Sequence, residues 1–317
     1  MSRSPLVSFV RTVTGDLAPG QLGRTDYHEH LFQASPLVAG DELDDLELSA
    51  RETSELHAAG IETLVDLTPI GLGRNPAGLR EISARTGMQI VAATGVHREA
   101  HYPAGHWVRA LDEAALAKRF EHELRDGIAA ADQSAETASS GVRAGVIKVG
   151  IGYWSISPFE RRVLAATGAA HRATGAPVVC HLEMGTAGFE AASVLEAAGV
   201  RRDKLVLAHV DRNPDPGLHL ELAASGVYLG YDGAGRAKYW PDSTLIDCLV
   251  AVAAGGGSDR LLLGGDVARR SSFTAYGGLP GMAYLPRRFV PRLQAAGGEE
   301  LVGTVLVDNP ARAFSWA

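Results

Sequence analysis

Cysteine is almost missing from this chain: two residues, Cys180 and Cys248, stand among 317, too few for a disulfide framework. Also missing is any stretch near the roughly 20 apolar residues of a membrane helix. The start, Met1-Ser2-Arg3-Ser4-Pro5, leads into no long apolar segment. Positive charge is not in excess either. The net charge is −7 with both signs mixed along the chain, and the densest acidic stretch, Asp41 to Glu47, is short enough for a solvated loop or helix start. These absences argue against nucleic acid or membrane as a partner and lead us to expect a soluble cytoplasmic protein. No Gly-x-Ser-x-Gly turn occurs, which removes the serine-elbow hydrolases.

What remains is ordinary globular material, 46% hydrophobic and 21% charged, enough for one barrel or two smaller domains. Short β-branched runs alternate with helix-forming segments, as in βα units. We expect eight strands: Thr25 to Phe32, Ile61 to Thr68, Gln89 to Val96, Ala144 to Ile151, Pro177 to Leu182, Lys204 to Val210, Gly226 to Tyr231 and Arg260 to Asp266. Helices are expected over Leu48 to Ala59, Leu79 to Thr86, Glu113 to Ala131, Pro158 to Thr174 and Gly188 to Ala198. Leu6 to Val13 reads as an extra strand or hairpin, broken off by Gly15 and Pro19-Gly20. No boundary, repeat or linker divides residues 1–317, so the expectation is a single α/β domain, a (β/α)8 TIM barrel. A doubly wound open sheet is the alternative.

The polar residues then gain meaning. In Thr25-Asp26-Tyr27-His28-Glu29-His30-Leu31, strand alternation puts His28 and His30 on one face and Glu29 on the other. Two neutral imidazoles on one face suit zinc or a similar divalent ion. Lys148, His181 and His209 follow at spacings of 33 and 28, each about one βα unit, and Asp266 comes 57 further on, room for two. These six would meet at the C-terminal ends of strands one, four, five, six and eight, where barrel enzymes keep their active sites. The set can hold two metal ions and reads as a hydrolase. Cys180 alternates with His181 and should face away as a packed core thiol. His57, His101, His106, His122, His171 and His219 carry no pattern.

Five blocks in order carry a family resemblance: His28-Glu29-His30, Gly145-Val146-Ile147-Lys148-Val149-Gly150, Val178-Val179-Cys180-His181, Ala208-His209-Val210-Asp211-Arg212-Asn213-Pro214 and Leu263-Gly264-Gly265-Asp266. Over nearly its whole length the chain resembles the phosphotriesterase family of the amidohydrolase superfamily. The resemblance implies a distorted barrel, a binuclear centre and a lysine, here Lys148, carbamylated by carbon dioxide to bridge the metals. A carbamate suits the apolar run Val146-Ile147-Lys148-Val149, where an unpaired ammonium would cost several kcal/mol to bury. In this reading His28, His30 and Asp266 hold the more buried ion and His181 with His209 the more exposed one. Zinc is the first choice, with cobalt, manganese or iron able to use the same ligands. The ions would polarise the substrate oxygen and supply the attacking hydroxide, and Asp266 would accept a proton.

Loops after strands three, seven and eight supply His97, Tyr231, Lys238, Arg269 and Arg270 as expected substrate contacts. In lactonase-like relatives a tyrosine often stands at the His97 position. Lys238 with Arg269 and Arg270 resembles relatives that hydrolyse phosphorylated sugar lactones, in which cations of these loops hold a phosphate. The expected substrate is therefore a small molecule, a lactone or carboxylic ester that can carry phosphate, with phosphotriester cleavage as a side activity. N-acyl amide hydrolysis on the same metals, a mononuclear deaminase-like barrel and a non-catalytic metal-containing binding protein are the alternatives. Relatives are commonly homodimers, and the apolar pieces near Trp107, Trp154 and Phe273 are candidates for that contact.

Overall fold

The computed structural model describes residues 8–132, 135 and 138–316. Ten strands are present among them: β1 (Val10–Thr12), β2 (Gly15–Leu17), β3 (Thr25–Glu29), β4 (Thr63–Asp66), β5 (Gln89–Thr94), β6 (Val146–Ile151), β7 (Val178–Leu182), β8 (Leu205–Ala208), β9 (Tyr228–Tyr231) and β10 (Leu261–Leu263). The last eight run parallel in the order β3 to β10. The Asp266 N–H donates to the His28 carbonyl at 2.7 Å, so the two end strands meet and the sheet is a nearly closed barrel. This is the expected TIM barrel, and the open sheet is set aside.

Helices α1 (Leu46–Ala58), α2 (Pro76–Thr86), α3 (Glu113–Arg125), α4 (Pro158–Thr174), α5 (Gly188–Ala197), α6 (Pro216–Ala224), α7 (Asp242–Val252), α8 (Val290–Gly303) and α9 (Asn309–Ala313) cover the outside. The start of α4 shows why its bounds match the sequence reading. Ser157 accepts from the Glu160 N–H, Glu160 reaches back to the Ser157 N–H, Pro158 takes the first helical position, and Gly175 ends the helix in left-handed geometry. The third expected helix stops at Arg125, not Ala131, because Gly127 adopts φ +135°.

Two apolar layers separate inside from outside. Tyr27, Val65, Val91, Ala93, Val146, Val179, Val206, Tyr228 and Leu262 fill the barrel. Ile147, Val149, Cys180, Leu207, Leu229 and Leu263, their neighbours along the strands, pack against the helices. Alternation thus sends Lys148 and His181 inward and Cys180 outward.

The early extra strand is a hairpin, β1 with β2, in which Gly15 opens the second strand (φ +146°) instead of ending the motif. Leu6 and Val7, which the sequence reading included, lie outside the described residues. The hairpin sits at the barrel end remote from the site: Val13 N–H donates to Ile90 O, and the Trp316 indole donates to Gly145 O just before β6. Val10, Leu22, Ala313 and Phe314 plug that end.

Candidate metal centre

At the other end, a cavity of about 410 Å³ is lined by all six expected ligands. Nε2 of His28 and Nε2 of His30 each lie 3.4 Å from Oδ1 of Asp266. Ligand bonds of about 2.0–2.2 Å at tetrahedral angles put donor atoms roughly 3.3–3.6 Å apart, so this triad has the spacing of atoms facing a shared ion. Each imidazole of the expected ligand set has one nitrogen engaged. His30 Nδ1 meets Thr68 Oγ1 at 2.8 Å, His28 Nδ1 and His209 Nδ1 meet Asp232 at 3.0 and 2.6 Å, and His181 Nε2 meets Glu183 Oε2 at 2.9 Å. The His181 and His209 rings lie 4.4 Å apart. The donor set therefore fits divalent metal, with four imidazoles fixed in orientation and one nitrogen of each still available.

Strict alternation does not produce this cluster alone. Tyr27 already faces the interior, and an irregularity in the β3–β4 register between Asp26 and Glu29 brings His28 inward beside it. On β8, Ala208 faces in, so His209 would face out; a left-handed turn at φ +66° redirects it. Asp266 is left-handed too, at φ +46°. Such conformations cost about 1–3 kcal/mol each and collect at functional sites. Three consecutive N–H groups pin Asp266: Gly265 donates to Asp26 Oδ1, Asp266 to His28 O and Val267 to Glu29 Oε2. Glu29 thus faces away from its flanking histidines, as alternation requires, and clamps the far strand. Burial, and for Glu29 also its neighbour Asp26, raises both carboxyls, Asp26 to about 7.

Lys148 is fully buried, and its nearest polar partner among the described residues is His28 Nε2 at 3.3 Å. Burial draws its amine down to about 8, so an appreciable neutral fraction exists near neutral pH. Asp266 is pushed up by burial, but Arg236 and the histidines outweigh that and hold it well below the carboxylate range. Its Oδ2 lies 2.8 Å from Arg236 Nη2 and 3.1 Å from Arg212 Nη2.

Burial draws the imidazoles of His28 and His101 down to about 3 and those of His209 and His219 to about 4. An unfolded chain protonates imidazole below about 6.5 whereas these folded groups wait until about 4 or lower. Unfolded chain therefore binds more protons in that window, and stability falls as pH drops through it. The melting temperature of metal-free protein is expected to decline steadily from pH 6.5 to 4. A flat or rising profile would show that these rings are charged in the fold.

Of the expected substrate contacts, His97, Lys238 and Arg269 line the cavity. The structure does not bring the other two there. Tyr231 follows inward-facing Gly230 and so points outward, its hydroxyl 2.6 Å from His219 Nδ1 and 3.4 Å from Cys248 Sγ. Arg270 turns outward to Asp44 at 3.2 Å and stacks on Tyr276. The sequence reading missed Arg98, Glu183, Arg212, Arg236 and Asp232. Glu183 had a signal: it lies two residues after His181, the same spacing as His28 and His30. Asp232 had one as well, since it alternates with Tyr231.

The phosphotriesterase family profile matches residues 8–314. The chain belongs to the phosphotriesterase family. This family member is 29% identical to a phospho-furanose lactonase of Mycoplasmopsis synoviae, over 97% of this chain and 92% of the other. It superposes on the crystal structure of a lactonase from Listeria monocytogenes with TM-score 0.89 and 31% identity, covering 98% and 99% of the two chains. The Escherichia coli phosphotriesterase homology protein, crystallised with phosphate in its active site, gives TM-score 0.83 at 29% identity over 92% and 99%. As a member of this family, the protein is a metal-dependent hydrolase.

Proposed function

We propose that this phosphotriesterase-family hydrolase opens a lactone, or a related carboxylic ester, that carries a phosphate away from the scissile bond. The observation behind this reading is the charge layout of the cavity. Imidazole, carboxylate and lysine donors form its floor, while Lys238 and Arg269 stand in its wall with no carboxylate partner among the described residues. A lysine ammonium and a guanidinium suit a dianion. The phosphate found in the Escherichia coli relative and the activity named for the Mycoplasmopsis relative point the same way.

In this proposal His28, His30 and Asp266 would hold one ion, His181 with His209 the other, and Lys148, as a carbamate, would supply anionic oxygens to them; zinc is the first choice. When bound, two divalent ions supply Lewis acidity toward the carbonyl and lower the pKa of water toward neutrality. Asp266 Oδ2, turned away from His28 and His30, is the atom placed to receive the proton released on attack. Arg212 and Arg236 beside it favour the anion, so the proton is passed on to the leaving oxygen or solvent. His97 accepts the Arg98 N–H on Nδ1 at 2.8 Å, which leaves Nε2–H as a donor for substrate oxygen.

A cytoplasmic homodimer completes the proposal. Both cysteines are free thiols, and no helix among the described residues is long and apolar enough to cross a membrane. Of the three apolar pieces named for a dimer contact, Phe273 is buried and Trp107 half-buried, whereas Trp154 and its neighbour Tyr153 are exposed.

Two measurements test the substrate class. Metal-loaded protein is ranked by kcat/KM on plain lactones, phosphorylated sugar lactones, N-acyl amides and phosphotriesters; a preference of about 100-fold, roughly 2.7 kcal/mol, decides. Lys238→Met is expected to raise KM about tenfold or more for a phosphorylated lactone, the loss of one charge-assisted contact, and to leave the dephosphorylated form nearly unchanged. Equal effects on the two substrates refute the phosphate role.

A further inference from the structure

Beneath the metal ligands lies a carboxylate that the proposed chemistry leaves unused. Asp232, fully buried, directs Oδ1 at His209 Nδ1 (2.6 Å) and Oδ2 at His28 Nδ1 (3.0 Å), and Oδ2 also accepts from the Tyr27 hydroxyl. Tyr27 reaches it only because Gly230 has no side chain: a Cβ there would sit 2.0 Å from the phenol oxygen. The turn carrying Asp232 is fixed by Asp211, whose Oδ2 accepts the N–H of Asp232 at 2.9 Å and of Gly233 at 2.7 Å.

His28, His209 and Asp232 are close enough to be read as a metal triad themselves. Their spacing favours hydrogen bonds. Separations of 2.6 and 3.0 Å are those of charge-assisted N–H···O contacts, shorter than the roughly 3.3–3.6 Å between ligands of one ion. An ionised carboxylate is acceptor-only, so both histidines carry their proton on Nδ1 and present bare Nε2 to the cavity.

We propose that Asp232 is a positioning residue that couples the two metal sites, since one carboxylate orients a ligand of each ion. An ion on His28 Nε2 polarises that ring and tightens its Nδ1–H contact to the already seated Asp232, the same carboxylate that holds His209 for the second ion. The two ions then load together and not independently. This inference rests on the two-metal reading above.

Asp232→Asn keeps size and one acceptor oxygen but turns an NH2 toward one of the two Nδ1–H groups, so one imidazole loses its orientation. The test is zinc titration of metal-free protein against a chelator, with cobalt(II) absorption spectra as a second readout and thermal melting as a check on folding. Wild type is expected to take up two ions in one steep step. The variant is expected to bind 10–100-fold more weakly, the usual cost of losing such an orienting partner, with stepwise uptake and an altered cobalt spectrum. Tyr27→Phe, which spares both imidazole contacts, should keep the steep two-ion uptake. Failure of wild type to bind two ions overturns the two-metal reading. Wild-type uptake of two ions, with Asp232→Asn matching it within about threefold and giving the same spectrum, overturns the coupling role alone. Should Asp232→Asn not fold, a zinc-loaded wild-type crystal structure decides: Asp232 hydrogen-bonded to both Nδ1 atoms supports the inference, and Asp232 ligating an ion overturns it.

Discussion

Lys148→Ala and His30→Ala are each expected to lower kcat/KM about a thousandfold or more and to reduce bound metal below two ions per chain. The magnitude follows from what the ions contribute, several kcal/mol of charge stabilisation at the reacting oxygen, with each 1.36 kcal/mol worth a factor of ten. The causes differ. His30 is one corner of the triad with His28 and Asp266, and its Nδ1 is already committed to Thr68. Removing it leaves Asp266 Oδ1 facing one imidazole in place of two. Lys148 is a buried amine whose hydrogen-bond partner is His28 Nε2 and on which Asp266 and Asp232 act only through space, with burial outweighing them, so a purely structural lysine is a poor account of it. If it acts as a carbamate, then Lys148→Glu, which brings a carboxylate without needing carbon dioxide, should retain far more metal and activity than Lys148→Ala. Metal analysis beside kinetics checks both points. A Lys148→Ala variant with full metal content and activity would falsify the bridging role.

Why were these six residues legible while much of their surroundings was not? Each lies within three residues of the C-terminal end of a barrel strand, and barrel units repeat at nearly constant spacing, so periodicity carries them. The positions of Lys148 and His181 follow from alternation alone. The inward turns of His28 and His209 do not, because one depends on a register irregularity and the other on a left-handed residue, and neither leaves a mark in a two-residue pattern. Tyr231 illustrates the opposite error. A tyrosine at a strand end near an active site looks like a substrate contact, yet Gly230 beside it is the inward residue, packed under Tyr27. Arg212 and Arg236 reach Asp266 from loops whose paths no periodicity specifies. After Asp266 the sequence reading offered no elements, and α8 shows why. It contains Gly297-Gly298, and Gly298 (φ +87°, ψ 167°) leaves helical geometry, so the segment is two short helical pieces joined across a kink and neither is long enough to show a clear period.

The largest effect on stability is expected away from the metals, at Glu123 on α3. Its carboxylate is fully buried and bonded four ways, to Arg74 Nη1 at 2.7 Å and Nη2 at 3.1 Å, to Arg119 Nε at 2.8 Å and to Thr94 Oγ1 at 2.7 Å. Arg74, from the loop after β4, also grips Asp132 at 2.8 Å. This network ties a helix, a strand and two loops together under the cavity wall. Burial raises the Glu123 carboxyl, but Arg74 and then Arg119 overcome that and bring it down to about 2. Deleting one partner of a buried ion network costs about 3–5 kcal/mol because the remaining charges stay buried without compensation. Glu123→Ala should therefore lower the melting temperature by roughly 5–15 °C, and Glu123→Gln, which keeps the volume and some of the hydrogen bonds, by less. The sign of the pH dependence is set by the depressed value. The charged form stabilises fully above about 4.5, and its contribution fades as pH falls toward 2. The gap between wild type and Glu123→Gln should accordingly be constant above about pH 5 and narrow below it. Both variants should take up as much metal as wild type wherever they remain folded, because none of the six proposed metal ligands belongs to the network. A Glu123→Ala protein melting within 2 °C of wild type would show that the cavity wall is held by its apolar packing and not by these charges.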